Sequence, residues 1–539
     1  MKNILKYSKV LFLLGLTLLL SDCKKDKFLN VNKNPNYPAN VPVNLLLPTC
    51  EANIGYMVGN TLGIYGGLWA QYWTQDPTYG SQYGNFDSYL NVPGDNDNVW
   101  QALYTTATNL NQIIANADTG HMNYAAIAYF MKAYDFQLLS DGWGDVPCST
   151  ALKGSSNLSP SYDPGQQVYD SIESWIYSGI KLINLNYTSP TVDLIYPGTS
   201  ESYVGPGPNP TMLQWQQFAN TLLLKVYLRE YYKNQSRANT GFQKLAVAMA
   251  AESIADTTNH AFAANSGITQ ITFMSVPPTS PGTDLGGDDA TLHYQAVTFQ
   301  QFPLFATQVY LQVQNLCASA TAINYMLALG DPRIADFYSP NSSTPGVYSG
   351  ELQGDYKALS GQPNTFAGLG TEVLSPTTTQ RLMTASESLF LQAEALVHGY
   401  TLFGVSGNAG TLYNQAISAS FASWTNSAGV GTGAYMASDS VNWSSAVGTQ
   451  GQLDFIWTQK WLSMCGNQNF EAWTEWRRSN DPNSPTKHIP SFFTISPASQ
   501  AAPGKFPERL VYPSAEFNDN SSFPGEQLIT APVWWDVNP

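Results

Sequence analysis

The stretch DNVWQALYTTATNLNQIIANADTGHMNYAAIAYFMKAYDFQLL (residues 97–139) decides the architecture. Trp100, Leu103, Tyr104, Ala107, Leu110 and Ile114 recur every three or four positions, behind the capping-type run GDNDN. Ile127, Phe130, Met131, Tyr134 and Leu138 repeat the pattern, and the breaker-rich DGWGDVP ends it. Two amphipathic helices with a short break have the size of a tetratricopeptide unit of ~34 residues, and Trp100-x-x-Leu103 fits its start loosely. One apolar stripe cannot bury itself, so such pairs must stack on their neighbours.

Outward from this pair the same period returns. Val168, Ile172, Ile176, Ile180 and Ile183 form one stripe, and Trp215, Phe218, Ala219, Leu222, Leu223, Val226 and Tyr227 another. Leu412, Ala416, Ile417, Ser420, Phe421 and Trp424 form a late one. The expected fold is mostly α, with tetratricopeptide-like helical pairs forming a solenoid frame. Residues 72–97, 188–213, 264–304 and 338–380 break the pattern, being rich in Gly, Pro, Ser, Thr, Asn and Tyr. Loops beyond ~15 residues in a compact protein are functional or disordered, and the aromatic content argues against disorder. These long irregular loops are therefore expected to carry the binding surface.

Composition narrows the function. The chain has 24 basic and 39 acidic residues, a net charge of −15, so nucleic acid is not an expected partner. Charged residues are 12 %, about half the usual ~25 %, whereas aromatics reach 13 %. Cys50, Cys148, Cys317 and Cys465 are scattered without a CxxC pair, and their spacing leaves all three pairings open. The N-terminus reads MKNILKYSKVLFLLGLTLLLSDCKKDKFLN. Lys2, Lys6 and Lys9 precede an apolar core from Val10 to Leu20, which is too short for the ~20 residues of a spanning helix. This is an export signal. With Leu20 and Ser21 ahead of Cys23 it resembles a bacterial lipoprotein signal, although Asp22 stands where a small residue is usual. The resemblance implies removal of residues 1–22 and acylation of Cys23.

Motifs for chemistry are missing. His121, His260, His293, His398 and His488 are scattered, with neither HExxH nor an i,i+4 pair, so no metal or cofactor is expected. There is no GxSxG and no P-loop, and GVGTG at 429–433 reads as a turn. Asp135, Asp141 and Asp145 could supply two glycosidase carboxylates, but Asp141-Gly142 and Gly144-Asp145 read as turn chemistry. Asp95, Asp97, Asp288 and Asp289 read as turns or caps. No catalytic residue is assigned.

Further motifs occur in fixed order: GWGDVPCSTAL (142–152), WQQFANTLLLKVYLR (215–229), DPRIADFY (331–338) and SESLFLQAEALVHGY (386–400). FIWTQKWLSMCGNQNFEAWTEWRRSNDP (455–482), ERLVYPSAEFNDN (508–520) and VWWD (533–536) follow. From Cys23 to Asp536 this set resembles the SusD/RagB family of nutrient-binding outer-membrane lipoproteins of Bacteroidetes. The resemblance implies a single SusD-like domain over residues 23–539, surface-exposed and lipid-anchored. It implies capture of oligosaccharides or peptides and service as the lid of a SusC-like TonB-dependent transporter.

Within the motifs, Glu394, Glu471, Arg477, Arg478 and Glu516 read as structural, because sparse charges among rings must be paired. The ligand site is placed instead in YWTQDPTYGSQYGNFDSY (72–89). Trp73, Tyr79, Tyr83, Phe86 and Tyr89 alternate there with Gln75, Gln82 and Asn85, and rings of this kind stack on sugars or clasp side chains. A minicore under the loop is the competing reading, and HYQAVTFQQF (293–302) is the second candidate site. Two other functions stay open: a helical-repeat protein–protein scaffold and a secreted glycosidase. Cys23→Ser should leave a folded body that no longer partitions with membranes; retention after a high-salt wash, which screens only electrostatic adhesion, would show that no lipid holds it.

Overall fold

A computed structural model describes residues 41–537 except 79–81, 119, 185–188, 199–209, 256–272, 280–286, 296–300, 311–314, 342, 358–364, 403–404, 406, 429 and 480–491. Cys23 and Tyr79 lie outside the described residues. The longer helices are α1 (Val43–Gly59), α2 (Thr61–Trp69), α3 (Asp97–Asn116), α4 (Met122–Trp143), α5 (Gly165–Leu182) and α6 (Pro210–Arg229). They continue with α7 (Gln235–Ala255), α8 (Ala320–Leu329), α9 (Ala385–Val397), α10 (Ala409–Ala422), α11 (Gly448–Met464) and α12 (Asn469–Arg478).

The stripes read from the sequence are the buried faces. Val99, Trp100, Leu103, Ala107 and Leu110 of α3 are buried, and Ile113 rather than Ile114 completes the row. α4 is buried almost all round, as a helix flanked on both sides must be, and it packs against α3 and α5. From α3 to α7 each helix packs on the next, which is the expected solenoid. α9 packs on α10 and α11, α11 on α12, and α9 on α6, joining the two halves. Local chemistry starts these late helices. Thr384 Oγ1 accepts the Glu387 amide (3.1 Å) ahead of α9, and Asn408 Oδ1 accepts the Thr411 amide (2.9 Å) ahead of α10.

The irregular segments carry short strands, all in antiparallel two-stranded pairs: β1 (Trp73–Gln75), β2 (Val146–Pro147), β3 (Tyr162–Asp163), β4 (Ala290–Leu292), β5 (Leu316–Ala318), β6 (Tyr338–Ser339), β7 (Gly368–Leu369) and β8 (Gln380–Met383). β1 pairs β5 with Thr74 opposite Cys317, while β4 pairs β8. Cys50, Cys148, Cys317 and Cys465 are buried and unpaired, which settles the question their spacing left open. Among the described residues no helix is long and apolar enough to cross a membrane.

α2 crosses α12 at a glycine. A Cβ on Gly66 would stand 2.3 Å from the backbone carbonyl carbon of Asn469, so the helices touch backbone to backbone there. Gly94 has open space around it. Gly66→Ala should cost ~1–3 kcal/mol of overpacking and lower Tm in a thermal melt. Gly94→Ala should leave Tm nearly unchanged.

Candidate functional site

Residues 72–89 fold back over β1. Asp87 Oδ2 accepts from Thr74 Oγ1 and the Gln75 amide, each at 2.7 Å, and Asp87 Oδ1 accepts from Gln353 Nε2 at 2.6 Å. Burial pushes the Asp87 carboxyl up to about 7, against the pull of those three donors. The Tyr83 amide donates to Gln75 Oε1 (2.7 Å), and Gln308 Nε2 donates to the Tyr83 hydroxyl (3.1 Å). The Asn315 amide donates to Gln308 Oε1 (3.0 Å), and the Asn315 side chain donates to Gln82. Amide side chains thus stitch the segment after β1 to the one before β5.

The rings turn inward. Trp73, Tyr83, Phe86 and Tyr89 are 1 %, 7 %, 5 % and 3 % exposed. Phe86 stacks on Tyr65 (centroids 4.0 Å apart) and leans on Trp69, which in turn meets Trp473 (4.9 Å). Tyr89 faces Phe506 and donates no face to solvent; its hydroxyl accepts the Ser496 amide (3.1 Å). The exposed ring array expected here is corrected to a minicore for these four, because side chains of that area are stabilised more by burial than by display. Among the described residues of the segment, Thr78, Gln82 and Asn85 are left exposed. In the second candidate stretch Tyr294 packs on Phe302, and His293 meets Thr291 and Thr379.

The charged motif residues converge at the crossing of α4, α6, α9, α11 and α12. Arg478 forks onto Glu394 (2.6 and 2.9 Å) and onto Glu475 (2.6 Å). Arg229 pairs with Glu471 and with Glu475 (2.9 Å), and Lys460 also reaches Glu475 (2.6 Å). Lys225 pairs with Glu387 at 2.5 Å. Against the upward push of burial, Arg478 holds the Glu394 carboxyl down at about 2, and Arg478 and Lys460 hold Glu475 well below the carboxylate range. Arg477 donates to the carbonyls of Glu508 and Asp141 (2.9 Å) while its guanidinium lies 3.6 Å above the Trp473 ring. The structural reading of Arg477, Arg478 and Glu394 stands. Glu516 accepts from Tyr162 (2.6 Å) and Trp100 (3.2 Å) instead of a cation. Lys225, Arg229, Glu387 and Lys460 escaped the sequence reading, although their spacing along apolar helix faces marked them as buried.

Asp141 is a correction. It belongs to the last turn of α4 rather than to a turn, and the bend begins at Gly144 (φ 82°). Asp141 accepts from Tyr169 and from Trp535 Nε1 (2.8 Å), Asp145 accepts the Gly165 amide (2.7 Å), and Asp135 lies sealed beside Lys132. Asp95, Asp97 and Asp288 each accept backbone amides, as capping residues do. No cluster of His, Cys, Asp and Glu suited to a metal ion occurs among the described residues.

Stacked helical pairs with braced loops between them define a helical-repeat fold. The chain belongs to the SusD-like family: the model for "Starch-binding associating with outer membrane" matches residues 35–513. Solved structures share the fold across nearly their whole lengths. A chitin-binding protein is 22 % identical (TM-score 0.69), with 92 % of this chain and 99 % of that one covered. A chitin-binding SusD homologue from Flavobacterium johnsoniae is 20 % identical (TM-score 0.67; 91 % and 99 %). A SusD homologue from Bacteroides uniformis is 19 % identical (TM-score 0.70; 92 % and 99 %). A search of the curated proteins returns no match.

Arg478→Ala should strand Glu394 and Glu475 and cost ~3–5 kcal/mol in chemical denaturation, with ligand affinity per folded molecule unchanged. Because the folded Glu394 carboxyl lies below its ordinary 4.5, the stability it contributes is present above that pH. That stability should drain away as pH falls toward 2, and Glu394→Gln should flatten the acid limb of the profile.

Proposed function

We propose that this protein captures oligosaccharides at the outer face of the outer membrane, tethered by a lipid on Cys23, as the lid of a SusC-like TonB-dependent transporter. The family match over residues 35–513, whose description names both starch binding and the outer membrane, carries the reading. Two structurally similar proteins are chitin-binding, which favours a glycan over a peptide as cargo. A single acyl chain binds membranes only marginally, so a multiply acylated cysteine together with a large protein contact suits a lid that must open without leaving. The loop braced over Trp73, Tyr83, Phe86 and Tyr89 is the proposed capture rim, with Tyr79 on the same loop and Thr78, Gln82 and Asn85 as its exposed polar groups. Residues 1–22 act as the export signal.

Three measurements test this. Affinity purification from outer membranes should bring down one TonB-dependent transporter in stoichiometric amount. Calorimetry with maltohexaose and chitohexaose should give a saturable isotherm, and Gln82→Ala with Asn85→Ala should weaken it about tenfold, with at most a small drop in Tm from the lost Asn315 bond. Neither sugar should be hydrolysed. Recovery of a soluble protein partner without sugar binding would favour the scaffold, and sugar cleavage lost in Asp141→Asn would favour the glycosidase.

A further inference from the structure

A groove of about 820 Å³ opens on the helical frame between α9, α10 and residues 273–277, with none of the rim residues among its described lining. Its volume falls within the ~300–1,000 Å³ of small-molecule sites. The floor is apolar: Phe273, Leu389, Leu412 and Ala419 are at most 3 % exposed. One wall is a polar stripe on α10, where Thr411, Asn414, Gln415 and Ser418 recur at helix spacing and face solvent.

The hydrogen-bonding capacity of this wall is partly unspent. Thr411 and Ser418 hydroxyls are engaged within the chain, with Asn408 Oδ1 (3.2 Å) and the Asn414 carbonyl (2.9 Å). The side-chain amides of Asn414 and Gln415 have no partner within the chain among the described residues. Across the floor, Gln392 is 3 % exposed and its Nε2 donates to Ser388 Oγ (3.1 Å) and the Met274 carbonyl (3.3 Å). That fixes its amide and leaves the side-chain carbonyl as the group it can turn to a ligand. Two free amides, one fixed amide and a buried apolar floor converge on one groove.

We infer that this groove is a second glycan site, for a short uncharged oligosaccharide, carried by the α9–α10 pair. The inference rests on the glycan reading above but concerns a different surface. None of the described lining residues is charged, so nothing there would repay desolvating a carboxylate or sulfate. The acidic balance of the whole chain, −15, repels polyanions as well. Amide side chains answer the hydroxyl and acetamido groups of a neutral sugar, each able to donate and accept. The wall is a helix face without a free strand edge, so an extended peptide would find no backbone ladder to join.

Ser418→Trp fills the groove from an exposed position, and Asn414→Ala with Gln415→Ala removes the free amides without touching the core. Calorimetry with chitohexaose and maltohexaose should show one binding event fewer per chain in Ser418→Trp, and about tenfold weaker binding of that event in the double alanine variant. Melting curves should match the parent. Gln82→Ala with Asn85→Ala should leave the groove event intact, which separates the two surfaces. Oligogalacturonate should not compete. The inference fails if stoichiometry is unchanged in Ser418→Trp, if a neutral peptide displaces the groove event while sugars do not, or if oligogalacturonate binds there. Absence of all sugar binding would sink both this inference and the capture reading.

Discussion

The ion cluster at the crossing of α4, α6, α9, α11 and α12 is the constraint on which the rest of the molecule depends. Lys225, Arg229, Lys460 and Arg478 face Glu387, Glu394, Glu471 and Glu475 with almost no solvent between them. Each buried ion costs several kcal/mol to desolvate, and only close pairing repays it. Losing one partner therefore strands several others. A chain with only 12 % charged residues commits these eight charges to one junction, and the junction in turn fixes which helices can be neighbours. Replacing the whole set by apolar residues could preserve stability, yet it would remove the directional bonds that select one crossing over another.

From that junction the order spreads outward. Arg477 carries it to the C-terminal tail through the Glu508 carbonyl, and Trp535 returns it to α4 through Asp141. Arg509 donates to the Trp143 carbonyl and the Trp143 indole donates to the Val511 carbonyl (2.8 Å). The tail is thereby a strap across the solenoid and the bend after α4, made of backbone carbonyls that arginine and tryptophan satisfy. This is why the motifs of residues 142–152, 455–482 and 508–536, far apart in sequence, belong to one construction.

The frame was legible because amphipathic periodicity is a local signal: the stripes of residues 100–114, 127–138, 168–183 and 215–227 all became buried helix faces. Which helices meet was not legible, since the ion pairs span separations such as Lys225 to Glu387 that no local pattern encodes. The loop rings were misjudged for a physical reason. Absence of helical period in residues 72–89 distinguishes loop from helix, but it does not distinguish an outward ring from an inward one. Gly66 and Asp87 decide that, one by letting α2 approach α12 and the other by stapling the loop to β1, and neither advertises its partner. The polar stripe of α10 was visible as the gaps between Leu412, Ala416 and Phe421. Its significance depended on where the segment around Phe273 came to lie.

The tyrosine content has the same explanation. Hydroxyls of Tyr65, Tyr104, Tyr134, Tyr196, Tyr413 and Tyr512 donate to the carbonyls of Asp95, Pro147, Leu382, Asp288, Val441 and Asp145, most of them in or beside loops. Burial raises each of these phenols above its ordinary range, so they remain donors at any physiological pH. An irregular segment cannot satisfy its own backbone, and an unpaired buried carbonyl costs ~1–3 kcal/mol. Tyrosine solves this with an apolar body that packs and a neutral tip that donates, where lysine or arginine would demand a counter-ion. The described stretches that these hydroxyls meet are consequently fastened in place. A ligand binding to fastened loops is spared the cost of ordering them, which for flexible side chains is ~0.5–1.5 kcal/mol each. The aromatic richness therefore braces the described loop surface from beneath rather than forming it.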